Sequence, residues 1–240
     1  MNVSQSKISG EAFKFIKKNK KLLIQKFAEL ENYPPSEKPF TIFMAGSPGA
    51  GKTEFSKSFN PDLYQFTKDQ KTKFVRIDAD EIRHLIPQFS GKNSSEIQRA
   101  ASKGVFILFD HVQHSSQNAI VDGTFANFKI SYDNVKRALG RNRSVGIFYL
   151  YQGPKTAWEF TKKRDKVEGR NISKKVFINA FFKAKENVNK IKKIFKDKIV
   201  LDLIIKNFEN KVASYHINIS RVDGYLKKEY NTGQLRSLLK

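Results

Sequence analysis

Eight residues limit this chain more than the rest of its 240: Gly46-Ser47-Pro48-Gly49-Ala50-Gly51-Lys52-Thr53. The glycines leave the backbone free to turn its N–H groups toward a common centre. A lysine and a hydroxyl residue follow at once, which completes the pattern G-x-x-x-x-G-K-S/T, the P-loop. In such a loop the amides cradle the phosphates of a nucleotide, the lysine reaches the β- and γ-phosphates, and the hydroxyl ligates Mg²⁺. Here these are Lys52 and Thr53, in a cup running from Gly46 through Ser47, Pro48, Gly49, Ala50 and Gly51 to Glu54. The surrounding pattern agrees: residues 40–45 are an apolar run that reads as a buried strand, and a helix is expected from Gly51 to about Phe59. That helix would point the positive end of its dipole at the anion.

Further along, apolar β-branched runs at 74–77, 118–121, 144–150, 199–205 and 212–219 read as strands. Helical patterns at 81–86, 96–111, 132–139, 155–167 and 174–195 lie among them. Pro87 stops the first of these helices, and Gly104 either breaks the second or is run through. The last two strands are separated by Asn207, Glu209 and Asn210, which suggests a hairpin-like connection. Apolar positions across 11–31 give an additional N-terminal amphipathic helix, stopped by Tyr33-Pro34-Pro35-Ser36. Residues 221–240 read as a polar helix or tail. Alternating strands and helices predict an α/β, P-loop kinase-like, three-layer fold with a mostly parallel central sheet. No internal repeat or long linker divides the chain, so 1–240 is expected as one domain with a kinase core over 40–220.

In an open parallel sheet the carboxyl ends of the strands face the ligand crevice. Asp78-Ala79-Asp80 follows the second strand. Asp80 is placed to accept the proton of an acceptor hydroxyl as it attacks phosphorus. Its alternative role is to cap the helix at Glu81. Asp78 would orient Asp80 or hold Mg²⁺ through water, and Arg83, one turn on, would pair with Asp80 or bind substrate phosphate. Asp122-Gly123-Thr124 ends the third strand. Asp122 is an acid where one commonly assists the metal, and Thr124 offers a hydroxyl to the acceptor; a simple turn is the other reading. Arg164 and Arg170 bracket a helix end and a glycine, an arrangement suited to a phosphate lid, or are two of many surface cations. The four histidines form no ligand cluster, His111 and His114 are expected on a helix surface, and Trp158 in the core.

The chain has no cysteine, which excludes disulfides, thiolate catalysis and cysteine zinc sites. No stretch is long and apolar enough to span a bilayer, so no membrane role is expected, and a cytoplasmic location is the default. The formal net charge is +22, and residues 161–240 carry 21 Lys/Arg against 8 Asp/Glu. Such a field attracts polyanions, or is a solvated lysine-rich surface.

The order of motifs resembles the zeta toxin family of toxin–antitoxin kinases. The resemblance runs from about Phe40 to Ile219 and rests on GSPGAGKT, VRIDADEIRHLIPQF, IVDGT, Arg164, and the GRNIS stretch over 169–173. The stretch from Asp202 to Asn210 is similar to the family's strand and turn near the nucleotide base. The resemblance implies ATP or GTP with Mg²⁺, and phosphorylation of a UDP-activated amino sugar, typically UDP-N-acetylglucosamine at its 3′-hydroxyl. It implies Lys52 as the triphosphate lysine, Asp80 as base, Asp122 and Thr124 beside the substrate, and Arg164 and Arg170 on the transferred phosphate. It also implies a small helical antitoxin over the nucleotide site, for which an acidic partner would suit the charge. Asp122 stands where some members have Glu, the interval between the two arginines is short, and the substrate-contacting helix is not recognisable in residues 94–102. Two other functions use the same residues: a polynucleotide or nucleoside 5′-kinase, for which +22 would bind nucleic acid directly, and a non-catalytic nucleotide-dependent binding module.

Overall fold

Strand β1, Phe40–Ala45, is buried along its whole length and forms the centre of the sheet. The computed structural model describes residues 3–59, 72–168, 172–209, 211–226 and 228–240. β1 leads through the glycine loop into α3, Lys52–Lys57. Before it come α1, Val3–Lys18, and α2, Lys20–Ala28. The N-terminal helix expected over 11–31 is therefore two helices. They divide at Asn19, whose side-chain amide and backbone N–H both donate to the Phe15 carbonyl at 2.9 Å. Leu30, expected within that helix, lies beyond it and is exposed.

The chain continues through β2 (Val75–Asp78), α4 (Ala79–Arg83), α5 (Ser94–His114), β3 (Ala119–Asp122), α6 (Phe128–Leu139), β4 (Ser144–Tyr151), α7 (Pro154–Glu168), α8 (Lys174–Phe195), β5 (Val200–Lys206), β6 (Val212–His216) and α9 (Thr232–Leu238). The sheet order is β2-β3-β1-β4-β5-β6, parallel except for β6, which returns antiparallel to β5. The mostly parallel sheet and its hairpin-like closing pair are thus as the sequence predicts. α5 runs through Gly104 without a break: a Cβ there would press on Ile82 Cγ2 at 2.7 Å, so the missing side chain lets α4 lie directly on α5.

Period-two alternation sends the strand residues to two faces. Phe43, Val75, Ile77, Val121, Ile147, Tyr149 and Leu203 join α1, α2, α5, α6 and α8 in one core. Phe40, Ile42, Met44, Ile120, Phe148 and Leu150 join Phe55 and Phe59 on the other face. A third cluster links α7, α8 and α9 through Trp158, Phe177 and Phe181, with Leu235 and Leu239 buried in it. The C-terminal segment is therefore anchored by apolar side chains. Among the described residues no helix is long and apolar enough to cross a membrane.

Buried polar residues fasten the end of the sheet opposite the glycine loop. Arg143 donates to Thr41 Oγ1 and Phe40 O at 2.7 Å, to Val112 O at 3.2 Å, and to Gln117 O. Burial draws its pKa down to about 10. Gln117 in turn donates to Ala28 O at 2.9 Å and Tyr33 O at 2.7 Å, tying the N-terminal helices to the strand that follows it.

Candidate active site

The loop after β1 takes its shape from backbone freedom. Gly46, Gly49 and Gly51 have φ of 137°, 73° and 82°, a region that side chains disfavour. A Cβ at Gly46 would overlap Leu150 O, and one at Gly49 would overlap Ala157 O and meet Thr161 Oγ1 at 2.7 Å. The glycine at 49 is therefore what lets α7 rest on the tip of the loop. Gly46 N donates to Thr124 O at 3.2 Å, which joins the loop to the end of β3. The Lys52 ammonium is buried and donates to Gly46 O at 3.1 Å and Ser47 O at 2.7 Å.

Parallel pairing of β2 with β3 sets Asp78 opposite Asp122 at the carboxyl ends of the strands. Two buried carboxylates side by side need a cation, and Arg76 supplies it. Its guanidinium lies 2.8 Å from Asp78 and 3.7 Å from Asp122, and also pairs with Glu81. Asp122 is pushed above the ordinary carboxylate range, mainly by burial and then by the Asp78 charge. Lys52, a hydrogen bond from Thr53 and Arg76 act against that rise. Ser56 Oγ lies 3.4 Å from Asp122 and donates to Thr53 O at 3.1 Å.

Asp78 is also the N-cap of α4, accepting from Asp80 N at 2.8 Å. The capping role weighed for Asp80 thus belongs to Asp78, because the helix begins two residues earlier than its apolar pattern indicates. The Asp80 side chain pairs with Arg83, which pairs in turn with Gln98 of α5. Thr124 contributes its carbonyl to the glycine loop, and its Oγ1 accepts from Ala126 N at 3.4 Å. Asn187 of α8, itself buried, donates to Phe125 O at 2.9 Å and fixes the same turn.

Thr53 and Asp122 are hard oxygen donors, and Ser56 Oγ lies against both, 3.4 Å from the Asp122 carboxylate and 3.1 Å from Thr53 O. That pair, completed by phosphate oxygens and water, is a donor set suited to Mg²⁺, which binds through one or two carboxylates rather than an all-protein cage. Among the described residues no group of three His, Cys, Asp or Glu could hold a metal by itself. His114 is exposed on α5 as expected, whereas His111 is half-buried with its Nε2 enclosed, away from the surface position expected of it.

Ala157, Thr161 and Arg164 share one face of α7. The first two meet Gly49, and Arg164 reaches Glu54 of α3 at 2.6 Å across 110 residues of sequence. Arg170 lies outside the described residues. The stretch 202–209 places Asp202 in the core, accepting from Asn218 N at 2.8 Å and from the Tyr215 hydroxyl. Buried Gln152 donates to Asn207 O at 2.6 Å and holds the turn after β5.

Three residues of the site stand outside its sequence motifs: Arg76, Glu54 as a carboxylate, and Asn187. A charged residue inside an otherwise apolar strand was the available signal for Arg76. The other two depend on contacts between distant elements.

The Zeta toxin family model matches residues 24–220. A structure of the PezAT chromosomal toxin–antitoxin system of Streptococcus pneumoniae aligns over 95% of this chain and 92% of that one, with a TM-score of 0.65 and 16% identity. A structure of AvrRxo1-ORF1 with AvrRxo1-ORF2 and ATP aligns over 90% of this chain and 70% of that one, with a TM-score of 0.62 and 14% identity. A further structure of that pair, with sulphate ions, gives 0.59 and 13%, over 92% and 70%. At these identities the structures are alike in fold. No curated protein sequence matches the chain.

Proposed function

Because this chain belongs to the zeta toxin family, we propose that it is a kinase that transfers the γ-phosphoryl group of ATP or GTP to a hydroxyl of a UDP-activated amino sugar such as UDP-N-acetylglucosamine. The observation that carries this reading is the meeting of the glycine loop, Lys52 and Thr53 with the paired strand-end acids Asp78 and Asp122. Backbone amides of 46–54 bind the phosphates, and Lys52 exchanges the carbonyls of Gly46 and Ser47 for β- and γ-phosphate oxygens. Thr53 and Asp122 would hold Mg²⁺, which when bound would neutralise charge on those oxygens. Asp80, turned from its pair with Arg83, takes the proton of the acceptor hydroxyl. The hydroxyl oxygen bonds to the γ-phosphorus, the bond to the β–γ bridging oxygen breaks, and the nucleoside diphosphate leaves with that electron pair. Arg164 and Arg170 meet the charge that develops on the transferred group. Asp78, Arg83 and Thr124 position the acceptor.

The test incubates purified protein with Mg²⁺ and ATP or GTP against UDP-sugars, nucleosides and RNA ends. The expected result is diphosphate formation that depends on a UDP-amino sugar, reduced about 10²–10⁴-fold by Asp80→Asn. Turnover confined to nucleosides or RNA ends would replace the sugar with a polynucleotide or nucleoside 5′-acceptor. Nucleotide-dependent binding unaffected by Asp80→Asn, with no transfer to any acceptor, would remove the kinase reading. An acidic helical antitoxin is the protein partner that the family and the net charge of +22 favour.

A further inference from the structure

The phosphate-binding cup contains an acid where its ligand would be an anion. Glu54 follows Lys52 and Thr53 in the first turn of α3. An acid there complements the helix dipole, and that is its ordinary role. Here, however, its carboxylate accepts a 2.6 Å hydrogen bond from Arg164. That arginine is aimed by α7, whose Ala157 and Thr161, on the same face, rest on Gly49. The amine of Lys206, at the end of β5, is lowered by burial but feels the Glu54 charge in the opposite direction. The Lys52 ammonium meanwhile lies on the carbonyls of Gly46 and Ser47. Lys52 and Arg164, two of the cations assigned to the triphosphate, are thus engaged by protein acceptors.

We propose that Glu54 is a positioning residue: it is the resting counter-charge of Arg164, holding the α7 guanidinium beside the glycine loop until a nucleoside triphosphate takes it over. This rests on the reading of residues 46–54 as a nucleoside-triphosphate site. The pair is partly exposed, with side chains 30% and 52% accessible, and such pairs are weak. It therefore orients Arg164 without locking it, and a ligand carrying several negative charges displaces the single carboxylate. The consequence is a competition: Glu54 lowers the apparent affinity for nucleotide only to the extent that Arg164 is present to be held.

Calorimetric titration of full-length protein with Mg²⁺ and non-hydrolysable ATP and GTP analogues tests this. The set is wild type, Lys52→Ala, Glu54→Gln, Arg164→Ala and the Glu54→Gln/Arg164→Ala pair, each checked for folding by its thermal melt. Glu54→Gln is expected to tighten binding about threefold, the size of an exposed ion pair. In the Arg164→Ala background the same change is expected to have almost no effect. Equal tightening in both backgrounds would mean plain repulsion between Glu54 and the ligand, and would overturn the counter-charge role. Unchanged or weaker binding by Glu54→Gln alone would overturn it too. Failure of wild type to bind either analogue, or wild-type binding by Lys52→Ala, would instead remove the nucleotide site and the proposal with it.

Discussion

Arg76 has one guanidinium among three carboxylates, and two of these, Asp78 and Asp122, have side chains only 6% accessible. Removing a cation from such a group leaves buried like charges that water cannot reach, which is costlier than losing an exposed pair. Arg76→Met keeps the apolar stem and discards the charge. It is expected to destabilise the protein by about 3 kcal/mol in urea unfolding. It also raises the Asp122 pKa further, because Arg76 is one of the groups opposing that rise. Unchanged stability would mean that the acid pair is adequately held by Lys52 and solvent. Arg76 also shows why part of the site was hidden in the sequence. Lys52, Thr53, Asp78 and Asp122 are legible because the chemistry demands their types beside a glycine loop or at a strand end. Arg76 matters only through the β2–β3 register, which no local pattern states.

The glycine loop touches α7 at Gly49, with no room for a side chain between them. Gly49 has φ of 73°, and a Cβ on it would overlap Ala157 O. Gly49→Ala therefore combines backbone strain with a collision against a helix that cannot yield locally. The expected outcome is α7 displaced from the loop, a stability loss of about 1–3 kcal/mol, and weaker nucleotide binding, read by thermal melts and by titration. If stability falls but nucleotide binding is unaffected, α7 does not serve the cup. Element types were largely legible: α8 spans the predicted 174–195, β1 spans 40–45, and the antiparallel return of β6 follows its polar turn. Boundaries moved where tertiary contacts outweigh local pattern. α5 starts at Ser94 and ends at His114, extending the expected 96–111 at both ends, and the N-terminal helix divides at Asn19.

For the whole molecule, the fold was legible because strand and helix patterns alternate and a parallel sheet follows from that alternation. The net charge of +22 was equally plain, but what it attracts is set by a partner's shape and not by composition. The halves of the chain cohere through the β1–β4 pairing and a shared apolar core, and the buried polar ties added to these were not legible. Arg143 joins β1, the end of α5 and the segment before β3 through four acceptors. Arg143→Met would leave those groups without their donor, and is expected to cost about 3 kcal/mol or more by urea unfolding; a change below 1 kcal/mol would mean that they find other donors. The same bonds bear on synthesis from the ribosome. Three carbonyls and a threonine hydroxyl, all made by residue 117, gain this donor only 26 residues later, although Val112 O by then accepts from Gln117 N at 3.1 Å. A nascent chain halted short of Arg143 cannot close that end of the sheet, so the first half gains its native protection from hydrogen exchange only with the arrival of the second.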